Sequence, residues 1–589
     1  MALLIALVVG FAAIVTRLVL IQGVDPAHYT AYGESQRVRT VALPAARGSI
    51  SDRNGFDLAI SVPRPTVWAN PRLVTDPRSE ATALAPLLGQ PVASLQDKLS
   101  GNGSFVYLAR KASKDVGKQV KDLKLDGVFL LEEPTRVLPA GGLAAPLIGN
   151  VGLDNDGQSG LERQFEAALA GRPGELVVER DATGGDIPGG VREFNASLRG
   201  DDIQLTIDRS LQYAAEHALA DEIVTAHAHG GMAIVMQTET GEVLAMANLS
   251  REIKKNGDLG DVQPAKRAMA VTDVFEPGSV NKMITIAGAL DSGAIQPGDH
   301  LTIGDQIKIA NHVFTEHDPH PVQSWSITDI VANSSNVGAI TIAGKLGKQR
   351  LNNYLRSFGF GERTGLSFPG ESAGILADPA KWYSTDMATI PIGQGGVSVT
   401  ALQMLAAYNA VANGGLYVAP KLVRGVLDSQ GKRRSTPPST TRRVVSATAA
   451  RQMTAMLDEV VRVGTGTMAA VNGYTVAGKT GTARKPLPGG TGYKPGAYMS
   501  SFAGFVPAEK PAFSIMVILD EPTPIFGGLV AAPVFAELAG YALREFRVPP
   551  PPPVQAAAVP DTTAERAKPV GDLDAGTTTT LATVPRATR

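Results

Sequence analysis

The chain has 589 residues, 44% of them hydrophobic, enough for two or three domains with their own cores. Its 55 lysines and arginines against 56 aspartates and glutamates give a formal charge of -1, which argues against a nucleic-acid partner, since that would want a basic surface. Cysteine is absent, so no disulfide, zinc-thiolate site or cysteine nucleophile can form.

Residues 2–22 are apolar apart from Gly10, Thr16, Arg17 and the closing Gln22, and about 20 such residues cross a bilayer. They read as a transmembrane anchor. A cleaved signal peptide is the competing reading, but the charged start and small-x-small cleavage site of one are both missing. No lysine or arginine precedes the span to orient it, and Arg17 near its far end can snorkel to an interface.

From Val41 the chain breaks into short strand-like runs, entered by Arg47-Gly48-Ser49-Ile50 and Asp52-Arg53-Asn54-Gly55. Asn-Gly marks a hairpin turn, and structural roles are expected for Asp52 and Arg53. Gly160-Leu161-Glu162 and the helical RQFEAALAG follow. A domain boundary is expected near Leu205-Thr206-Ile207-Asp208, where a strand leads into the helix SLQYAAEHALADEIV. Two apolar runs, residues 231–236 and 241–246, then form a β-hairpin about a polar turn.

Residues 275–293, FEPGSVNKMITIAGALDSG, set a serine and a lysine one helical turn apart. Pro277 and Gly278 mark a helix start, Met283, Ile284, Ala287 and Leu290 recur at the spacing of a buried stripe, and Gly293 is the expected end. Ser279 then lies near an N-terminus whose free N–H groups favour developing negative charge. The Lys282 amine comes within reach of its oxygen. Serine is a poor nucleophile near neutral pH, and lysine can take its proton only if burial or a second cation holds the amine neutral. A lone S-x-x-K remains weak evidence, because a helix cap followed by a solvated lysine has the same pattern.

His300, His312, His317 and His320 gather in one segment, but no second cluster at ligand spacing supports a zinc site, and a polar loop at the mouth of the site is the better reading. Ser334-Ser335-Asn336 follows between two apolar runs, and Lys479-Thr480-Gly481-Thr482 follows the strand-like YTVA. The remainder reads as a polar loop over residues 485–496, the runs SSFAGFVP and AFSIMVILDEP, and a closing helix APVFAELAGYALREF. FSIMVIL and YTVA are expected side by side. Beyond Val548 a Pro, Thr and Ala-rich tail without apolar periodicity is expected to be disordered.

S-x-x-K, a second serine motif and K-T-G in this order form the set used by penicillin-binding proteins and serine β-lactamases. FEPGS, Gly393-Gln394-Gly395 with Val399-Thr400 and Leu402-Gln403 behind it, the Asn-Gly-Gly at Asn413, and Ser501-Phe502-Ala503-Gly504-Phe505 widen the match. Over nearly all of residues 41–546 the chain resembles class B penicillin-binding proteins, and TDVFEPGS with SFAGF most resembles their FtsI-like, division-specific members. In the second motif Ser335 stands where the set has aspartate, and Gln237-Thr238 replaces the family's usual Asp-Pro.

The resemblance implies an α+β fold. A penicillin-binding transpeptidase domain of serine β-lactamase-like type (205–547) would stand on a mainly β pedestal (23–204), after one transmembrane helix (1–22) and before the tail (548–589). It implies a peptidoglycan D,D-transpeptidase that needs no cofactor or metal. Ser279 would be the nucleophile, Lys282 its base and Ser334 a bridge between the amines of Lys282 and Lys479. Asn336 would hold the stem-peptide backbone, and Lys479, Thr480 and Thr482 the terminal carboxylate. At Gly481 the substrate would lie along the strand because no side chain intervenes. The oxyanion would rest on the backbone N–H groups of Ser279 and Thr482. Implied partners are peptidoglycan stem peptides, β-lactam antibiotics, a SEDS-type (FtsW-like) glycan polymerase and other divisome membrane proteins. Polymerase contacts are expected along residues 2–22 and near residues 47–55. Nothing resembles a glycan-polymerising domain, which separates the chain from bifunctional class A enzymes. An elongation-specific transpeptidase, a D,D-carboxypeptidase, a β-lactamase and a non-catalytic β-lactam sensor are the alternatives.

Overall fold

The computed structural model describes residues 1–24, 27, 33, 37–179, 187, 190, 192–487, 489 and 492–551. The tail expected to be disordered lies outside them from residue 552 on, as do residues 488, 490 and 491 of the polar loop. At the N-terminus, Ala2–Gly23 forms a helix with a mean hydropathy of 2.7 and no buried residue, long and apolar enough to cross a membrane.

Among the described residues, one sheet of seven strands takes its members from distant parts of the chain. Asp202–Leu205 pairs in parallel with Ile50–Ser51 on one side and antiparallel with Val423–Leu427 on the other. This sheet therefore draws on both sides of the boundary expected near residue 205. Polar side chains complete the join. Asp52 caps its own hairpin by accepting the N–H groups of Asn54 and Phe56, and it also accepts that of Arg209. Arg53 reaches Glu242 at 3.4 Å and covers the Phe546 ring. Arg47, Gly48, Ile50 and Asp52 are buried, so only residues 54–57 of this segment present an exposed tip.

A second sheet has six strands in the order Leu259–Pro264, Val243–Ile253, Gly230–Gln237, Phe513–Asp520, Tyr493–Val506, Ala477–Pro486. The hairpin read from the sequence is present, with Val243 opposite Met236. The expected neighbours FSIMVIL and YTVA are not adjacent. The SSFAGF strand lies between them, pairing Phe502 with Thr480 on one side and with Val517 on the other. Three comparably apolar runs can be ordered in several ways, and alternation alone cannot choose.

Helices cover both faces of this sheet. Val235, Val517 and Leu244 pack against the helices Arg209–Thr225 and Gly527–Glu545. Ile234, Met516 and Met246 point the other way, into the core around Met283, Ile284 and Tyr408. The helix Lys282–Asp291 lies in that core with every residue from Lys282 to Leu290 buried, rather than only the expected stripe. Neighbours enclose it on all sides, so its sequence shows little amphipathic contrast. Burying each Ile, Leu or Met side chain contributes roughly 1.5–3 kcal/mol.

Candidate active site

Ser279 sits on a short 3-10 turn, Gly278–Asn281, that runs straight into the helix Lys282–Asp291. In a 3-10 turn residues three apart eclipse, so Ser279 and Lys282 share an edge. The turn is pinned from several directions. Gly278 takes φ +61, where a Cβ would meet Ala483 Cβ at 3.0 Å, and its N–H donates to Gly393 O at 2.8 Å. Asn281 Nδ2 donates to Ile390 O at 2.7 Å, and the buried Tyr408 hydroxyl donates to Val280 O at 2.9 Å. Phe275 and Val399 exchange both backbone hydrogen bonds. The Gly-Gln-Gly and Val-Thr segments thus bracket the serine turn.

Lys282 is 2% exposed. Its amine donates to Ser334 O at 2.5 Å, to Asn336 Oδ1 at 2.8 Å and to Ser334 Oγ at 3.4 Å. Burial lowers its pKa to about 7, against an opposing pull from the charge of Glu316. The requirement stated for a serine-lysine pair, an amine part-neutral near pH 7, is thereby met chiefly by burial. Lys479 is 1% exposed, with its amine 3.4 Å from Thr480 O and 3.3 Å from Thr480 Oγ1. Its pKa is driven well down by burial and then by Lys282. Thr480 Oγ1 is 2.8 Å from Thr465 Oγ1, and Thr482 Oγ1 accepts from Gly527 N at 3.4 Å.

The sequence-derived residues converge, with corrections of detail. Among the described residues, Ser334 hydrogen-bonds the Lys282 amine but not that of Lys479, and no hydrogen bond joins Lys282 Nζ to Ser279 Oγ. Asn336 has both ends of its amide engaged by the protein, Oδ1 by Lys282 and Nδ2 by Thr315 O at 3.0 Å. Among the described residues, Ala477–Pro486 is an edge strand with one side free of strand partners. Gly481 also has a packing role. A Cβ there would collide with Ser501 Oγ and lie 3.1 Å from Val280 Cγ1 and 3.2 Å from Pro277 O, so the missing side chain makes room for the serine turn.

Two carboxylates near the site were missed. Glu276, beside the turn, accepts Tyr493 OH at 3.0 Å and Gly395 N at 3.1 Å, and burial raises its pKa to about 7 against those bonds. Glu316 lies in the segment read only as a polar, histidine-bearing loop. No group of metal-ligating side chains occurs among the described residues.

Comparison with known proteins finds matching family models and relatives. A penicillin binding protein transpeptidase domain model matches residues 231–540, and a penicillin-binding protein dimerisation domain model matches residues 42–205. The penicillin-binding protein PbpB of Mycobacterium tuberculosis is 34% identical over 580 residues, covering 92% of this chain and 84% of PbpB. The peptidoglycan D,D-transpeptidase FtsI of Escherichia coli is 32% identical over 558 residues, covering 92% and 91%. The crystal structure of penicillin-binding protein 3 from Mycobacterium tuberculosis complexed with ampicillin aligns with a TM-score of 0.66 at 30% identity, over 87% of this chain and 98% of that one.

Proposed function

The chain belongs to the class B penicillin-binding protein transpeptidases, and from that premise we propose that it crosslinks peptidoglycan through an acyl-Ser279 intermediate during septal wall synthesis. The observation that carries this reading is Lys282, enclosed, poised near pH 7 and one 3-10 turn from Ser279.

Ser279 Oγ adds to the carbonyl carbon between the two terminal D-alanines of a stem peptide as its proton passes to Lys282 Nζ. Negative charge gathers on the carbonyl oxygen, against the backbone N–H groups of Ser279 and Thr482. The C–N bond breaks as the leaving nitrogen takes a proton by way of Lys282 and Ser334 Oγ, which lie 3.4 Å apart. D-alanine departs and an ester remains on Ser279. An amine of a neighbouring stem peptide then adds to the ester carbonyl and gives its proton to Lys282, which passes it to Ser279 Oγ as the ester C–O bond breaks, so the new peptide bond forms with both residues restored. A β-lactam forms the same ester by ring opening.

Lys479, Thr480 and Thr482 line the edge strand where the terminal carboxylate would bind, with the substrate as an added strand. Burial disfavours the charged form of Lys479, and a carboxylate arriving beside it favours that form. Asn336 acts first as a holder of Lys282. The apolar N-terminal helix would anchor the protein in the membrane by a single pass with the catalytic domain outside the cell, beside a SEDS-type polymerase of the FtsW kind. Helix Ala2–Gly23 and the exposed tip at residues 54–57 are the surfaces such a partner would meet.

Labelling with a fluorescent penicillin and locating the adduct by mass spectrometry tests the chemistry. The adduct is expected on Ser279 and absent in Ser279→Ala, and an adduct on Ser334 would overturn the assignment. Depletion tests the septal role, with filaments expected and rounded cells pointing to elongation.

A further inference from the structure

The second motif of this chain reads Ser334-Ser335-Asn336, without an acidic side chain. A carboxylate is nevertheless present. The strands Gln306–Ile309 and His312–Thr315 form a small hairpin, and Glu316 follows its last residue. Its Oε1 accepts the Ser335 hydroxyl and Val337 N at 3.0 Å, and its Oε2 accepts Asn336 N at 2.8 Å. Ser335 in turn accepts Gly338 N at 2.8 Å. Together they satisfy the first turn of the helix Asn336–Leu346, where a negative charge is favoured by the helix dipole.

The same contacts fix the acceptors of Lys282. Ser334 takes φ +58, a left-handed conformation that is strained for a residue with a Cβ, and there its carbonyl meets the Lys282 amine. Asn336 Oδ1 meets that amine from the next turn, and its amide is oriented by Thr315 O, the residue before Glu316. Every oxygen bonded to Lys282 Nζ belongs to a residue that is fastened by Thr315 and Glu316 or adjoins one that is.

We propose that Glu316 is a positioning residue of this active site, supplying from the 306–315 hairpin the carboxylate that Ser335 does not carry and setting the placement of Lys282. The charged groups facing Lys282 are Glu316 on this loop and Lys479 on the edge strand: Glu316 favours the Lys282 ammonium, and the Lys282 charge disfavours that of Lys479. The acidic limb of acylation, where rate rises as Lys282 loses its proton, therefore sits at a higher pH with Glu316 than without it.

This inference rests on the acyl-Ser279 reading, and the experiment separates the two. The second-order rate of fluorescent penicillin acylation is measured against pH for the full chain and for Glu316→Gln, Ser335→Asp and the double variant, with thermal melting as a check on folding. Glu316→Gln is expected to slow acylation at least tenfold at neutral pH and to move the acidic limb down. Ser335→Asp places two carboxylates together and is expected to be slower still. In the double variant the introduced aspartate takes over the role of Glu316, and the rate is expected to recover at least fivefold over Ser335→Asp. A helix cap with no role in the site leaves the limb of Glu316→Gln where it was, and the proposal fails on that result. It fails equally if the double variant recovers nothing while all the proteins melt as folded. If the unsubstituted chain is not labelled at Ser279, both readings fall together.

Discussion

In the dimerisation domain, Arg47 and Arg136 are buried against carboxylates; in the cleft, Lys282 and Lys479 are buried against carbonyl, amide and hydroxyl oxygens. Arg47, 1% exposed, meets Glu162 at 2.9 Å and Glu166 at 2.7 Å, and Arg136 meets the fully buried Glu162 at 2.5 Å and donates to Gly48 O at 2.7 Å. Among the described residues, neither cleft lysine has such a partner. A cation buried with its counter-ion stays charged and fixes geometry. A cation buried without one becomes a weak acid near working pH, which a serine needs beside it. The same operation, removing charge, should therefore have opposite consequences at the two places.

The largest effect falls on catalysis. Lys282→Arg puts a permanently charged guanidinium where a part-neutral amine is needed, and a loss of about 10³-fold or more in penicillin acylation is expected, within the range of general-base catalysis. Lys479→Arg keeps the positive charge for a carboxylate and is expected to cost about tenfold. Equal rates in the two arginine variants would remove the distinction between the lysines. The unsubstituted chain should show acylation rising with pH through about 7, where Lys282 loses its proton.

Next come the stability tests, whose signs differ. Glu162→Gln leaves Arg47 and Arg136 buried without their shared carboxylate and is expected to cost about 3–5 kcal/mol, with the labelling rate of the folded protein within twofold. Lys282→Met is expected to stabilise by about 2–4 kcal/mol at pH 6. The sign follows from the proton balance: between about 7 and 10.5 the unfolded chain holds the Lys282 proton and the folded chain does not, so stability rises with pH across that window and is lowest below it. Denaturant unfolding at pH 6 and pH 9 measures both. Destabilisation by Lys282→Met at pH 6 would mean that this lysine is held as a structural ion like Arg47.

Much of the site was legible because its parts are local. Ser279 with Lys282 lies within four residues, and each of the other motifs is a short run with its own turn chemistry. The parts that were not legible come from elsewhere in the chain. Glu316 reaches Ser335 from 19 residues upstream, with nothing in TEHDPH to distinguish it from a solvated loop. The strand order failed because SSFAGF, FSIMVIL and YTVA are all apolar enough to be neighbours. Gly481 was read only as leaving the strand open to substrate, and its packing against the serine turn was not legible. A Cβ there would lie 3.1 Å from Val280 Cγ1 and 3.2 Å from Pro277 O, on residues about 200 positions away. Gly481→Ala tests that account. It should slow acylation about tenfold by displacing the serine turn, and unchanged rates would return the glycine to the substrate side of the strand.

The smallest expected effect decides which group sets the pH dependence, since two groups titrate near the same value. Glu276 is raised to about 7 by burial, while its bonds from Tyr493 and Gly395 pull it down. Tyr493→Phe removes the hydroxyl that favours the ionised form and keeps the ring, so Glu276 should hold its proton to higher pH. A carboxyl with a raised folded value binds more protons folded than unfolded, so stability falls as pH rises from about 4.5 to 7; in Tyr493→Phe that fall should extend above 7. Acylation at pH 8 should stay within about threefold, because Gly395 remains bound and Gly393 still holds Gly278 N. The acidic limb should not move, in contrast to its downward shift in Glu316→Gln, since Tyr493 touches Glu276 and not Lys282. A limb that moves up in Tyr493→Phe would assign the kinetic titration to Glu276, and Lys282 would then lose its place as the group that limits acylation at low pH.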